Sequence, residues 1–189
     1  FSTEPDLNGY CGTVVEDFSV KDRENYLISI ENKRAKENFQ LLLKKVNWGN
    51  ADRCQWKEYQ KGTNIYGICN LYNSNTELGK LPIDEVKQAV FYRIDCVDNT
   101  IKILKQCNDT CAVLCTEKYI LYETENALIK YDVISGKSKN ILSIEKPMDQ
   151  MIYFDDDFLE ITNINPEYVL RLDETDCEIL EEINNKPVN

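Results

Sequence analysis

Three cysteines spaced four residues apart, Cys107, Cys111 and Cys115, are the side chains whose type and spacing best suggest chemistry. Clustered thiols bind zinc, act as a redox dithiol, or belong to a framework of disulfides. On a helix, this spacing would place all three thiols on one face, where they could hold a metal. Zinc and redox sites, however, are usually built on C-x2-C pairs, and zinc sites often add histidine. The chain contains neither a C-x2-C pair nor a histidine, so the pattern favours disulfides.

The cysteine content of the whole chain supports the same interpretation. Eight cysteines, an even number spread along the chain, are typical of a disulfide framework in an oxidising compartment. They are Cys11, Cys54, Cys69, Cys96, Cys107, Cys111, Cys115 and Cys177. The sequon Asn108-Asp109-Thr110, inside the cluster, predicts N-glycosylation at Asn108. A start at Phe1 rather than Met is expected of a trimmed chain or one that has lost a leader. We therefore predict a secreted, extracellular glycoprotein.

One disulfide can be predicted from local sequence, the pair Cys54–Cys69. The stretch CQWKEYQKGTNIYGIC reads as a β-hairpin, and a turn at Lys61-Gly62 would place Cys54 directly opposite Cys69. Opposed strand residues have Cα atoms about 4.5–5.5 Å apart, a separation that a disulfide accommodates. The main candidate partners for the three clustered cysteines are Cys11, Cys96 and Cys177.

The absence of histidine excludes the common catalytic arrangements. It removes the Ser-His-Asp triad, the Cys-His dyad and histidine-ligated zinc. Carboxylate-only hydrolases remain, but the sequence nominates no pair of carboxylates for that role. The run Asp155, Asp156 and Asp157 could offer oxygens to Ca²⁺ or contact a partner, although a solvated hairpin tip is the favoured interpretation. We predict no enzyme activity, no cofactor and no metal.

The charge of the chain limits its partners. A formal net charge of −11 and a pI near 4.6 disfavour nucleic acid and anionic lipid surfaces. No apolar run approaches the ~18 residues that span a bilayer, so membrane insertion is not expected. The predicted partner is an extracellular protein, for which a basic one suits the charge, or a small amphipathic ligand.

The elements that must position these residues differ between the two halves of the chain. We predict a single domain over 1–189, with a mixed α/β part over about 1–88 and a short flexible C-terminal tail. Residues 1–24 contain Pro5, Gly9 and Gly12 and are predicted to be mostly loop, followed by a strand in NYLISIE at 25–31. An apolar stripe that includes Phe39 and Leu42 predicts a helix over about 34–47. A second short helix is predicted in PIDEVKQAV, after Pro82.

A β-meander is predicted over about 89–183. Strands are expected in AVFYRIDC, TIKIL, KYILYE, ALIKYDVI, KNILSIE, QMIYF, FLEITNI and EYVLRLD. Turn signals such as Asp98-Asn99, Glu125-Asn126 and Ser135-Gly136 separate several of them. A propeller needs at least four blades of ~40 residues, which this half does not supply. The predicted fold class is α+β, predominantly antiparallel β closing into a barrel or sandwich, with one or two short helices and disulfide staples.

The expected function is non-enzymatic binding of another protein through loops or an acidic face. The first alternative is a carrier that encloses a small amphipathic ligand in a barrel, as lipocalins do. The Gly-x-Trp motif of the lipocalin first strand is absent, so only the architecture is alike. The second alternative is a carboxylate-based hydrolase.

Overall fold

The structure, a computed structural model, describes residues 5–6, 10–19, 33–49, 51–73, 86–143, 152–155, 158–161, 167–172 and 177–183. Within these ranges the chain forms one α-helix and fourteen β-strands, which make three antiparallel sheets. The predicted strand at 25–31 and the predicted C-terminal tail lie outside the described residues. A β-rich α+β fold is therefore confirmed.

The strands follow one another along the chain in each sheet. Sheet A contains β1 (Pro5–Asp6), β2 (Tyr10–Ser19), β3 (Arg53–Lys61), β4 (Asn64–Tyr72), β5 (Val86–Asp95) and β6 (Thr100–Asn108). Sheet B contains β7 (Cys111–Cys115), β8 (Tyr119–Thr124), β9 (Ala127–Asp132) and β10 (Ser138–Ser143). Sheet C contains β11 (Ile152–Asp155), β12 (Phe158–Ile161), β13 (Glu167–Leu172) and β14 (Cys177–Ile183).

The helix α1 (Lys33–Lys45) is amphipathic and confirms the prediction of a helix over about 34–47. Phe39 and Leu42 are fully buried against sheet A. Lys44 and Lys45 lie in the last turn, where their positive charges interact favourably with the negative end of the helix dipole. Gly49 has a φ of +51° just beyond the helix, a conformation that glycine adopts without steric cost.

Strands β4 and β5 of sheet A are buried on both faces, and successive residues along these strands and β3 alternate between the faces. Trp56 of β3 and Tyr92 of β5 pack with the helix, and the Phe39 and Trp56 rings lie 5.4 Å apart. Tyr59 of β3 and Phe91 of β5 point the other way, into the core shared with sheet B. The sheet therefore separates the helix from sheet B.

Sheet B packs on sheet A and shares a hydrophobic core with it. In β8, Tyr122 packs on Phe91 of sheet A with ring centroids 6.2 Å apart. Tyr119 and Leu121, on the opposite face of the same strand, are also fully buried. Leu170 and Cys177 of sheet C belong to the same core. The helix, sheet A and sheet B are therefore stacked in that order, and sheet C contributes to the core of sheet B.

The amide of Asn70 on β4 joins sheets A and B directly. Its Oδ1 accepts a hydrogen bond from the backbone N–H of Ala112 on β7 at 2.8 Å. Its Nδ2 donates to the carbonyl of the same residue at 3.3 Å. Asn70 thus pairs with the backbone of an edge strand as a neighbouring strand would.

The predicted closure into a barrel is wrong. Within the part of the chain that the structure describes, each sheet is open and ends in two different edge strands: β1 and β6, β7 and β10, and β11 and β14. The sheets bury their apolar faces by stacking on one another, which removes the need for closure. Over the described residues, the structure therefore does not provide the barrel interior in which the carrier hypothesis places a ligand.

Two predicted elements of the N-terminal half are also wrong. Residues 10–19, predicted as loop, form β2, and the register with β3 shifts between Cys11 and Thr13. Gly12 lies at that shift. Its position agrees with the common occurrence of glycine at bulges within strands. The predicted helix after Pro82 is a strand from Val86 onward, since β5 pairs with β4 and β6 along its length.

The predicted strands and turns of the meander are largely confirmed. Asn99 and Gly136 have φ values of +51° and +70° in the turns that end β5 and β9. In each turn an aspartate at the end of the strand, Asp95 or Asp132, accepts two hydrogen bonds from the turn's backbone N–H groups. These Asx turns explain why short polar runs separate the strands.

Candidate functional site

A cleft of about 570 Å³ lies between the edge strand β10 of sheet B and strands β13 and β14 of sheet C. Its size is within the range of about 300–1,000 Å³ typical of ligand sites. It is lined by Lys139, Asn140, Ile141, Arg171, Cys177, Glu178 and Ile179. The cleft is therefore the candidate binding site.

The β10 wall is shaped by an irregularity in the strand. The register with β9 shifts between Asn140 and Leu142, so that Ile141 is the extra residue. Leu142 enters the core, whereas Ile141 is half-buried and reaches the cleft. Lys139 and Asn140 are exposed on the same strand. This wall consequently offers an aliphatic surface beside a cation.

The opposite wall combines the same two kinds of side chain. Arg171 of β13 lies directly across the strand pair from Glu178 of β14. Leu170 lies across from Ile179, and the first is buried in the core while the second is exposed at the cleft. Opposite charges at facing positions stabilise a strand pair, so Glu178 offsets Arg171 within this wall. Lys139 on the facing wall adds a further positive charge.

A second group of polar side chains is buried between the helix and sheet A. The hydroxyl of Tyr92 donates to Glu58 Oε1 at 2.7 Å, and the indole N–H of Trp56 donates to the Tyr92 hydroxyl. Asn38 of the helix donates from Nδ2 to Glu58 Oε2 at 3.2 Å. Loss of hydration on burial raises the pKa of Glu58 to about 7, although its donors oppose the shift.

Asn38 can form a hydrogen bond with Glu58 in either protonation state of the carboxyl group. Its Oδ1 is buried and has no hydrogen-bond partner. Rotation of the amide by half a turn would present Oδ1 to a protonated Glu58, whereas Nδ2 suits the ionised form. The network thus fixes the helix on the sheet through a carboxyl group that titrates near neutral pH.

Glu123 on β8 is the other buried carboxyl group of interest. Burial raises its pKa to about 8, and its Oε1 has no hydrogen-bond partner. It belongs to sheet B, whereas Glu58 lies on the helix side of sheet A. Neither residue lines the cleft. The two carboxyl groups therefore do not form the facing pair that a glycosidase-type hydrolase requires.

The cysteine cluster belongs to two strands rather than to a helix. Cys107 is near the end of β6, and Cys111 and Cys115 begin and end β7. Burial is the main cause that raises the pKa of Cys111 to about 12 and holds that of Cys115 well above its usual value. Thiols in such surroundings stay protonated, which disfavours thiolate chemistry. Among the described residues, no three potential metal-ligating side chains converge on one point.

The other cysteines are distributed over the sheets. Cys11 lies in β2, Cys96 in the turn after β5, and Cys177 begins β14 beside the cleft. Cys107 faces Ala89, whereas Cys96 follows the far end of β5, about 20 Å further along the strand. That separation exceeds the ~7 Å limit for a bridge, so Cys96 is not the partner of Cys107.

The predicted pair Cys54 and Cys69 is brought together, but not by the predicted register. The turn is Gly62-Thr63 rather than Lys61-Gly62, because glycine takes the positive φ of +57° inside the turn. Cys54 therefore faces Leu71, and Cys69 faces Trp56. Both thiols lie on the helix side of the sheet, and their Sγ atoms are 2.7 Å apart.

We predict that Cys54 and Cys69 form a disulfide in the oxidised protein. Their separation of 15 residues implies a stabilisation of about 3 kcal/mol from loop closure. Peptide mapping without reduction should recover the two cysteines in one linked fragment, and Cys54→Ala should remove that fragment. Linkage of Cys54 to any other cysteine would contradict the prediction. Cys96→Ala, in a turn, serves as the control that leaves the linked fragment intact.

The two other predicted surface features lie at strand ends. Asn108 is exposed at the end of β6, with its Oδ1 accepting from Gln88 Nε2 at 3.4 Å, and Thr110 is buried. Glycosylation at Asn108 stays a prediction. Asp155 ends β11 and faces Phe158 in the hairpin with β12, whereas Asp156 and Asp157 lie outside the described residues.

Sequence reasoning missed both the cleft and the buried carboxyl group. The cleft joins strands that are about thirty residues apart and has no local signature. Glu58 did leave a signal, since it follows Cys54 and Trp56 at every second position of a strand and so shares their buried face.

Comparison with known proteins identifies no relative of the chain. No family model, curated protein or solved structure matches the chain. Within the described residues, no helix combines the length and apolar character needed to cross a membrane.

Proposed function

We propose that the chain is a secreted, non-catalytic binding protein that engages another protein through the cleft between β10 and β13–β14. The observation that carries this proposal is the cleft itself, where aliphatic and charged side chains line about 570 Å³ of open space. Binding sites commonly combine an apolar floor with a few charged groups that fix orientation. The cleft offers Ile141 and Ile179 for the first role and Lys139 and Arg171 for the second.

The proposal of secretion rests on the sequence and is compatible with the positions of its residues. Asn108, the glycosylation candidate, is exposed, as attachment of a glycan requires. Cys54 and Cys69 have adjacent sulfur atoms in a buried site. Both features fit a disulfide-stapled protein of an oxidising compartment.

Ile179 provides a direct test of the proposal. It is 38% exposed at the cleft, whereas Val97, in the turn after β5, is 75% exposed and remote from it. A photo-crosslinking amino acid placed at position 179 should capture a specific protein from extracellular fluid, whereas the same group at position 97 should not. Ile179→Asp should weaken binding of the captured protein at least tenfold, and Ile134→Asp, in another exposed turn, should not.

Equal capture from positions 179 and 97 would contradict a binding role for the cleft. An unchanged affinity of the Ile179→Asp variant for the captured protein would do the same. Circular dichroism of each variant is the control for folding, and both substituted side chains are already exposed to water.

A further inference from the structure

We propose that the cleft recognises a carboxylate next to an aliphatic side chain in an extended segment of the partner. This inference rests on the proposed function, because it names the chemistry that the same cleft would bind. It follows from the charges of the two walls, from the isoleucine that each wall carries, and from the irregular edge of β10.

Among the described residues, the charges that line the cleft are opposite in sign to the charge of the chain as a whole. They are two cations, Lys139 and Arg171, and one anion, Glu178, which leaves one positive charge. The hairpin 127–143, which supplies the β10 wall, has three lysines and one aspartate, a net charge of +2, although the chain carries −11. A basic segment is favoured by the overall charge, but at this cleft an acidic group meets the excess of cations.

In this proposal, Lys139 and Arg171 together bind one carboxylate. They lie on opposite walls of the cleft, and both are exposed. Glu178 faces Arg171 across β13 and β14, whereas the β10 wall, as far as the structure describes it, contributes Lys139, Asn140 and Ile141 and no anion. A guanidinium group and an ammonium group can together donate charge-assisted hydrogen bonds to one carboxylate. A partner's aspartate or glutamate would complete this arrangement.

The apolar part of the cleft specifies the neighbouring residue. Ile141 lines the cleft from the β10 wall, which also carries Lys139, and Ile179 lines it from the opposite wall, which also carries Arg171. Ile179 is one of three large hydrophobic side chains exposed among the described residues. An aliphatic side chain next to the carboxylate would cover both isoleucines, and burial of apolar surface is favourable by about 25 cal/mol per Å².

Recognition is expected to depend on side chains rather than on an added β-strand. The edge of β10 carries Lys139 and a register irregularity at Ile141. Charged residues and bulges at a sheet edge are the usual means by which proteins prevent pairing with another strand. The bound segment therefore lies across the cleft in an extended form without joining the sheet.

Four hexapeptides of matched length would test this chemistry by fluorescence anisotropy. They alternate Glu with Leu, Gln with Leu, Glu with Ser, and Lys with Leu. The Glu–Leu peptide should bind at least tenfold more tightly than each of the others at ~0.05 M salt, and its affinity should fall as salt is raised. Lys139→Met and Arg171→Met should each weaken this binding about fivefold or more. Lys102→Met, which removes an exposed lysine of β6, is the matched control and should leave it unchanged.

The outcomes separate this inference from the proposed function. Equal binding of the Gln–Leu and Glu–Leu peptides, or tighter binding of the Lys–Leu peptide, would overturn the chemistry while leaving a binding role for the cleft. Binding of octanoate that depends on Lys139 and Arg171, without binding of the Glu–Leu peptide, would overturn the protein segment in favour of a small amphipathic ligand. Failure of every peptide together with failure of crosslinking from position 179 would overturn both proposals.

Discussion

Gly67→Ala is expected to lower the free energy of unfolding by about 3–5 kcal/mol. This loss is larger than the one expected for alanine at any other glycine among the described residues. Gly67 of β4 lies directly opposite Tyr92 of β5, and the Tyr92 ring rests against its Cα. A Cβ atom at position 67 would overlap that ring. Displacement of Tyr92 would also remove the donor to Glu58 and the acceptor for Trp56, which leaves buried polar groups without partners.

Urea denaturation would measure this effect, with Gly62→Ala as the matched control. Gly62 has a positive φ but open space around it, so alanine there should cost only about 1 kcal/mol of backbone strain. If the Tyr92 ring causes the loss, Gly67→Ala should cost much less in a Tyr92→Leu background. A loss at position 67 no greater than that at position 62 would contradict this account.

Glu58→Gln is expected to remove a large part of the pH dependence of stability. The pKa of Glu58 is about 7 in the folded protein and near 4.5 when unfolded. Between these values the unfolded chain releases the proton first, so the free energy of unfolding falls as pH rises from about 4.5 to about 7. The fall due to this group is on the order of 3 kcal/mol, and it is absent in the variant.

Denaturation curves at pH values from about 4.5 to about 8.5 would test this prediction. Wild type should lose stability over this range relative to Glu58→Gln, and Glu123, whose folded pKa is about 8, should cause a decline in both proteins. Glu125→Gln, in the exposed turn after β8, is the control and should parallel wild type. Parallel curves for wild type and Glu58→Gln would show that Glu58 does not titrate as described.

Much of the fold could be predicted from alternation and turn chemistry. The helix was evident from the apolar stripe that includes Phe39 and Leu42, and the turns at Asn99 and Gly136 were evident from residues that accept positive φ. The first residues of β5 were predicted as a helix because proline is common in the first turn of helices, and Pro82 precedes them. Their pairing with β4, which begins at Val86, is a long-range contact that the local sequence does not show.

Features that depend on how the sheets meet could not be predicted from local sequence. Whether strands close into a barrel or stack in layers depends on contacts such as Phe91 with Tyr122, which join separate sheets. The cleft likewise lies between two sheets, since Lys139 belongs to sheet B and Arg171 to sheet C, and local sequence does not show that these strands meet. The candidate cysteines were identified by sequence, but the one-residue error in the turn at Gly62 shows how strongly their pairing depends on register.

The amide of Asn70 has a consequence for how the protein opens. The N–H of Ala112 is held by a side chain from the other sheet, so its proton is shielded from solvent only while sheets A and B remain in contact. Hydrogen–deuterium exchange at this position would report the parting of the two sheets, even when each keeps its own strand pairing. If they part only on global unfolding, Ala112 should exchange as slowly as the most protected core amides. Faster exchange would reveal a partially open state in which β7 becomes a free edge.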